Sequence, residues 1–239
     1  MQDELINRRD RLKEFYFEIR DCRKCELYRT RTNFVFGSGS ANAEILLIGE
    51  APGRNEDLQG KPFVGQAGKL LDELLLSIGF NRNEIFIANI LKCRPPENRD
   101  PKLTETDTCK PYLLRQIEII DPKIICTMGK YSTQVILNTT AGISVLRGKV
   151  FKAGGRIVLP INHPAAALYT PSRLKILEED FQRLKKIFDN YDNFKDFEEL
   201  AGKEIKNGSI TPGSVNAAPG SADNNNGQAS SEDEQLGLF

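Results

Sequence analysis

The sequence predicts an α/β protein. One three-layer α/β/α domain over residues 1–190 is built on a central, mostly parallel four-stranded sheet, and a disordered acidic tail follows over 191–239. Three observations carry this expectation. Short apolar runs alternate with stretches of helical periodicity. A glycine-rich loop leaves the first of those runs and leads into a helix. Beyond about residue 190, large apolar side chains become rare.

The elements follow in order. Residues 3–20 form an amphipathic helix with Leu5, Leu12, Phe15, Tyr16 and Ile19 on one side. The run Ile45-Leu46-Leu47-Ile48 is the first strand, apolar throughout because both its faces are to be covered. The loop over 49–65 comes next, Gly49-Glu50-Ala51-Pro52-Gly53 at its start and Gly60-Lys61-Pro62-Phe63-Val64-Gly65 at its end. Leucines at helical spacing mark a helix at 67–78. Strands at 85–90, 123–128 and 157–161 then alternate with helices at 104–120, 130–138 and 173–188, and no internal repeat is found. A weak helix at 194–205 precedes residues 207–234, whose Gly, Ser, Asn, Ala and acidic side chains bury too little to offset ordering entropy.

The apolar fraction of 39% suffices for a packed core, and no window approaches 18 uninterrupted apolar residues, so a membrane span is not expected. The charged N-terminus is unlike a signal peptide, which points to the cytoplasm. The formal charge of zero conceals a split. Residues 189–239 hold 10 acidic and 3 basic side chains, leaving 23 acidic and 30 basic in residues 1–188, a net of +7. A basic body with an acidic tail fits a polyanion binder, and ordinary solubility charge fits it equally. The chain closes on Gln235-Leu236-Gly237-Leu238-Phe239, three large apolar residues at the tip of a solvated tether. This pentapeptide resembles the short peptide by which bacterial DNA repair and replication proteins dock on the sliding clamp.

Five cysteines are present. Cys126 lies in an apolar strand, where a thiol behaves as a small hydrophobe. Cys22 and Cys25 end the first helix, Cys93 follows the second strand and Cys109 lies early in the next helix, leaving four thiols for one site. Disulfides are the less expected use in a cytosolic chain. Four thiolates suit either tetrahedral zinc or an iron–sulfur cluster, and having only one tight Cys-x-x-Cys pair favours the cluster. The single histidine, His163, directly follows the strand at 157–161. It therefore shares the carboxyl edge of the sheet with Glu50 and Asn89, three polar side chains converging on one crevice.

Together these segments resemble the family 4 uracil-DNA glycosylases, the iron–sulfur branch of their superfamily. The segments are Cys22-x-x-Cys25, Gly49 to Gly53, Gly60 to Gly65, Asn89 with Lys92-Cys93-Arg94-Pro95-Pro96, Cys109 and His163-Pro164, in the family's order over roughly residues 1–190. The resemblance implies a 4Fe–4S cluster on Cys22, Cys25, Cys93 and Cys109, and removal of uracil from single- or double-stranded DNA by a monomer. It implies that Phe63 stacks on the flipped base, that Asn89 reads its Watson–Crick edge, and that His163 donates to uracil O2. The backbone at Ala51 adds contacts to the base, and Glu56 is a candidate to crowd C5 and exclude thymine. Glu50 is open to three roles: orienting water, stabilising the cationic sugar, or bracing the loop. In the loop after His163, Leu168 or Tyr169 is a candidate wedge and Arg173 a phosphate contact, while a helix start packed on the core explains the segment equally. Arg94 and Arg99 are candidates to face phosphates beside the cluster. The rival readings are a non-catalytic iron–sulfur DNA-binding module, an electron-transfer protein and a glycosylase for another deaminated base such as hypoxanthine. A branch trapped covalently through an additional histidine fits poorly, since there is no second histidine.

Overall fold

The computed structural model describes residues 2–195, with side chains over 8–194. The expectations for the tail, from the greater part of the helix at 194–205 to Gln235, Leu236, Leu238 and Phe239, lie outside the described residues, as does the side chain of Leu5.

Six strands form one sheet: β1 (Ser38–Gly39), β2 (Ile45–Gly49), β3 (Phe86–Asn89), β4 (Ile124–Met128), β5 (Phe151–Ala153) and β6 (Arg156–Ile161), in the spatial order β1-β3-β2-β4-β6-β5. The four expected strands are its parallel centre. The expected count of four is corrected to six. β1 and β5 are antiparallel edges of two and three residues, too short to show any hydrophobic pattern of their own.

Alternation along the strands builds two cores. Leu46 and Ile48 face one side, where α1 (Gln2–Ile19) contributes Leu12, Phe15 and Ile19, and α4 (Leu103–Ile120) contributes Leu113 and Ile117. Ile45 and Leu47 face the other, against Leu71, Leu74 and Leu75 of α3 (Gln66–Ser77) and Leu177, Phe181 and Leu184 of α7 (Pro171–Asp189). Proline at the first helical position starts α7 two residues ahead of the expected 173, since its missing N–H is one of those no helix can use there.

The connection leaving β2 passes through α3 on one face. The connection leaving β4 passes through α5 (Lys130–Leu137) on the other, ahead of the one-turn helix α6 (Ile143–Leu146). Between the carboxyl ends of these adjacent strands lies the switch point of the sheet, where α/β folds open a crevice. The segment over 49–65 was expected from its glycines to be loop throughout, and the structure corrects this. It contains α2 (Arg54–Gln59), begun at Gly53 and ended at Gly60 in the left-handed region, six residues that are too few to display periodicity.

Candidate active site

The carboxyl edge of the sheet brings together three of the residues singled out above. Asn89 ends β3, Gly49 ends β2 directly opposite it, and His163 lies just past β6. Phe63 reaches in from the loop, and its ring stacks on the His163 imidazole with centroids 5.5 Å apart and planes at 27°. Gly49 permits this convergence: a Cβ there would lie 2.3 Å from Asn89 Oδ1 and 2.8 Å from the Phe63 ring. Gly129, with φ at +96°, does the same beneath His163 at the end of β4.

Asn89 is 2% exposed, and its Oδ1 has no hydrogen-bond partner among the described residues. Leaving a buried acceptor unpaired costs about 1–3 kcal/mol, so an orphan in this position marks a place for a ligand donor. Phe63 carries a second cost. Its φ of +52° is a left-handed conformation worth on the order of 1–3 kcal/mol of strain in an aromatic residue.

His163 is held neutral. Burial pushes its imidazole down to about 4, and the nearby Glu56 carboxylate only partly opposes this. Its Nδ1 accepts from the Ala165 amide at 3.2 Å, which assigns the proton to Nε2 and makes that nitrogen a donor. Behind it, buried Asp180 accepts from the amide of Asn162 and pairs with Arg147 at 2.8 Å, fixing the strand end from which His163 projects.

Glu56 fastens the loop. One carboxylate oxygen accepts from the Gly53 amide at 3.1 Å, and the other from Val64 and Gly65 at 2.9 and 3.0 Å. Since its charge also acts on His163, it lies at the site's border.

Glu50 is half-buried, and its carboxyl is pushed up to about 7, by burial first and by the charge of Asp100 second. Asp100 accepts from the Tyr131 hydroxyl at 2.6 Å, which raises that phenol to about 12. Ala51 is half-buried beside Glu50. Asp100 and Tyr131 were not foreseen, because residues 31 apart share no periodic pattern that would join them.

The other predicted contacts separate. Tyr169 is 83% exposed, its hydroxyl reaching Gln66 at 3.1 Å, whereas Leu168 is half-buried at the end of a short helical turn over Pro164–Ala167. Arg173 is exposed at the start of α7. Arg94 meets Asn98 at 2.8 Å. Arg99 clasps the Glu105 carboxylate with both terminal nitrogens, at 2.9 and 2.6 Å, and so braces the start of α4.

Cys22, Cys25, Cys93 and Cys109 line one small cavity together with Tyr28, Phe34, Thr108 and Tyr112. Cys126 is fully buried on the opposite face of the sheet. Among the described residues no three His, Cys, Asp or Glu side chains gather around a single-ion position. Four thiols lining one cavity are the donor set that an iron–sulfur cluster takes. The surroundings also suit a negatively charged thiolate cluster. Arg31 donates to Cys93 Sγ at 3.2 Å, Tyr112 donates to Cys22 Sγ at 3.2 Å, and the Lys92 amide donates to Cys109. Burial raises the thiols, Cys109 to about 12, while Lys92 and Arg31 pull in the opposite direction. Fully buried Lys92 donates through Nζ to the Asn89 carbonyl at 2.9 Å and to Gln116 at 2.6 Å, so one side chain joins the cysteine region to the strand end that presents Asn89.

A family model described as the uracil DNA glycosylase superfamily matches residues 36–189. The chain is 49% identical over 187 residues to the type-4 uracil-DNA glycosylase of Sulfurisphaera tokodaii, covering 74% of this chain and 85% of that protein. It is 48% identical over 183 residues to the type-4 uracil-DNA glycosylase of Archaeoglobus fulgidus, covering 72% and 91%. With that of Saccharolobus solfataricus it shares 51% identity over 177 residues, covering 70% and 82%.

Proposed function

The chain belongs to the uracil DNA glycosylase superfamily, among its type-4 members, and on that premise we propose that it flips uracil out of DNA and hydrolyses the N-glycosidic bond, leaving an abasic site. The observation that carries this reading is the orphaned Asn89 Oδ1 beside stacked Phe63 and His163.

Uracil answers the orphan with its N3–H, and the Asn89 amide donates to O4. Cytosine presents the reverse polarity at both atoms and leaves buried groups unpaired. Phe63 supplies a stacking face, worth ~1–3 kcal/mol in comparable base–aromatic contacts. As the glycosidic bond breaks, negative charge gathers on uracil O2 and positive charge on the sugar. The neutral His163 donates from Nε2 to O2, a hydrogen bond that strengthens as that charge develops. Ionised Glu50 faces the cationic sugar and orients the attacking water, with Asp100 tuning when it ionises. Glu56 fixes the loop and limits the space at C5, which the methyl group of thymine would need. Ala51 contributes backbone to the base. Tyr169, the more exposed of the two candidates, is the wedge, and Arg173 and Arg94 meet phosphates.

Cys22, Cys25, Cys93 and Cys109 would hold a 4Fe–4S cluster. Bound there, it supplies a covalent tie among the end of α1, the segment after β3 and α4. The protein acts as a monomer in the cytoplasm, at the nucleoid when on DNA, and docks on a sliding clamp through Gln235, Leu236, Leu238 and Phe239. Among the described residues no helix is long and apolar enough to cross a membrane. Deleting residues 235–239 should abolish clamp binding while excision from short oligonucleotides survives.

The test of the reading is incubation with single- and double-stranded oligonucleotides carrying one uracil, followed by alkali. Strand scission at that position is the expected result. Intact strands from cluster-loaded protein would overturn the reading and favour a binding module; scission at hypoxanthine but not uracil would reassign the substrate.

A further inference from the structure

Phe63 is held in its left-handed conformation from outside the pocket. Arg82, in the turn ahead of β3, donates through Nη1 to the Phe63 carbonyl at 2.9 Å and through Nη2 to the Pro62 carbonyl. The same Nη1 meets Asp72 Oδ1 of α3 at 2.8 Å, so a carboxylate sets the plane of the guanidinium. Gly68, in the first turn of α3, lies directly under this peptide: a Cβ there would be 1.9 Å from the Phe63 carbonyl oxygen. Glu56 takes the amides of Val64 and Gly65. The segment over 62–65 is thus held by its carbonyls through Arg82 and by its amides through Glu56. A non-glycine residue at positive φ persists only where the surroundings over-determine it, and Arg82 provides the carbonyl half of that constraint.

We propose that Arg82, oriented by Asp72, is a positioning residue for the flipped base: it acts on excision through the Phe63 ring, by holding the backbone that aims it. This rests on the reading of Phe63 as the stacking residue. A guanidinium is suited to the task because its planar fork reaches two carbonyls and a carboxylate at once, whereas a lysine ammonium offers a single point of attachment.

A double-mutant cycle tests the inference. Single-turnover excision from a uracil-containing single-stranded oligonucleotide is measured for Arg82→Met, Arg82→Lys, Phe63→Ala and the pair Phe63→Ala with Arg82→Met, alongside thermal melting and affinity for abasic-site DNA. Arg82→Met should slow excision roughly ten- to a hundredfold, the effect expected of a displacement near 1 Å at a reacting group. Abasic-site affinity should stay within about twofold because that ligand has no base to stack, and Arg82→Lys should recover little of the rate. In the Phe63→Ala background the further loss should be under about twofold. An equal fold-loss in both backgrounds overturns the proposal, as does a wild-type rate in Arg82→Met. A wild-type rate in Phe63→Ala instead overturns the stacking reading beneath it. Should Arg82→Met fold poorly, Asp72→Asn carries the same cycle: a loss that vanishes without the Phe63 ring supports the proposal, and one that persists overturns it.

Discussion

Gly49 and Asn89 stand opposite each other across β2 and β3, so close that a Cβ on Gly49 would lie 2.3 Å from Asn89 Oδ1. The glycine therefore vacates the space in which the unpartnered acceptor sits. Gly49→Ala should cut kcat/KM for uracil at least about a hundredfold by displacing Asn89 and Phe63, while the φ of Gly49, which is not positive, lets the fold survive. Steady-state kinetics with thermal melting separate these two outcomes; near-wild-type kinetics would show that the pair does not form the base pocket.

Glu50 gives a pH signature. Its carboxyl is raised to about 7 by burial and by Asp100, so between its ordinary value and 7 the folded protein binds a proton that the unfolded chain has released. Stability from this group is full below about 4.5 and is lost as pH rises through 7. Glu50→Gln should therefore raise stability at pH 8 but not at pH 4. Solvent screening at a half-exposed position holds the gain to about 1 kcal/mol, read by denaturant titration at the two pH values. The same variant should also remove the limb near pH 7 from the profile of kcat/KM.

His163 titrates with the opposite consequence. It stays neutral in the fold down to about 4, whereas the unfolded chain protonates its imidazole near 6.5. The contribution is full above 6.5 and is lost as pH falls towards 4. His163→Gln should flatten the fall of melting temperature across that interval, and excision should drop by about a hundredfold or more with the loss of the proposed O2 donor. A wild-type rate in His163→Gln would remove the histidine from the mechanism.

Lys92 joins the cysteine region to Asn89, so loss of the proposed cluster should be felt in the proposed base pocket. Stripping it with a chelator under oxidising conditions should abolish a brown absorbance near ~400 nm. A tie of a few kcal/mol in a domain of this size corresponds to about 10 °C in melting temperature, and excision should fall in parallel. Unchanged melting on loss of the colour would mean that the four cysteines tie nothing together.

The parts of the molecule legible in its sequence are those whose cause is local or periodic. The four central strands are apolar because both their faces are covered, and Glu50, Asn89 and His163 could be placed at one edge because each stands at or just past the carboxyl end of a strand. The edge strands over 38–39 and 151–153 carry no such signal, since their partners rather than their composition make them strands. The groups that set the site's electrostatics and shape were hidden for a related reason. Arg82 reaches Phe63 across 19 residues, and Tyr131 reaches Asp100 across 31, through contacts that exist only once the chain has folded. Glu56 was singled out in the sequence as a candidate to crowd C5, whereas its bonds to Gly53, Val64 and Gly65 arise from helix α2, which turns its carboxylate onto the loop.

The central claim is that the orphaned oxygen of Asn89 reads the N3–H of uracil, and the most direct measurement is single-turnover excision of uracil and of cytosine, in the same sequence context, by the native protein and by Asn89→Asp. The native protein should release uracil alone. In Asn89→Asp, uracil release should fall at least about a hundredfold and cytosine should gain relative to uracil, because a carboxylate accepts from the cytosine amine but offers nothing to O4. Wild-type excision of uracil by Asn89→Asp would contradict it.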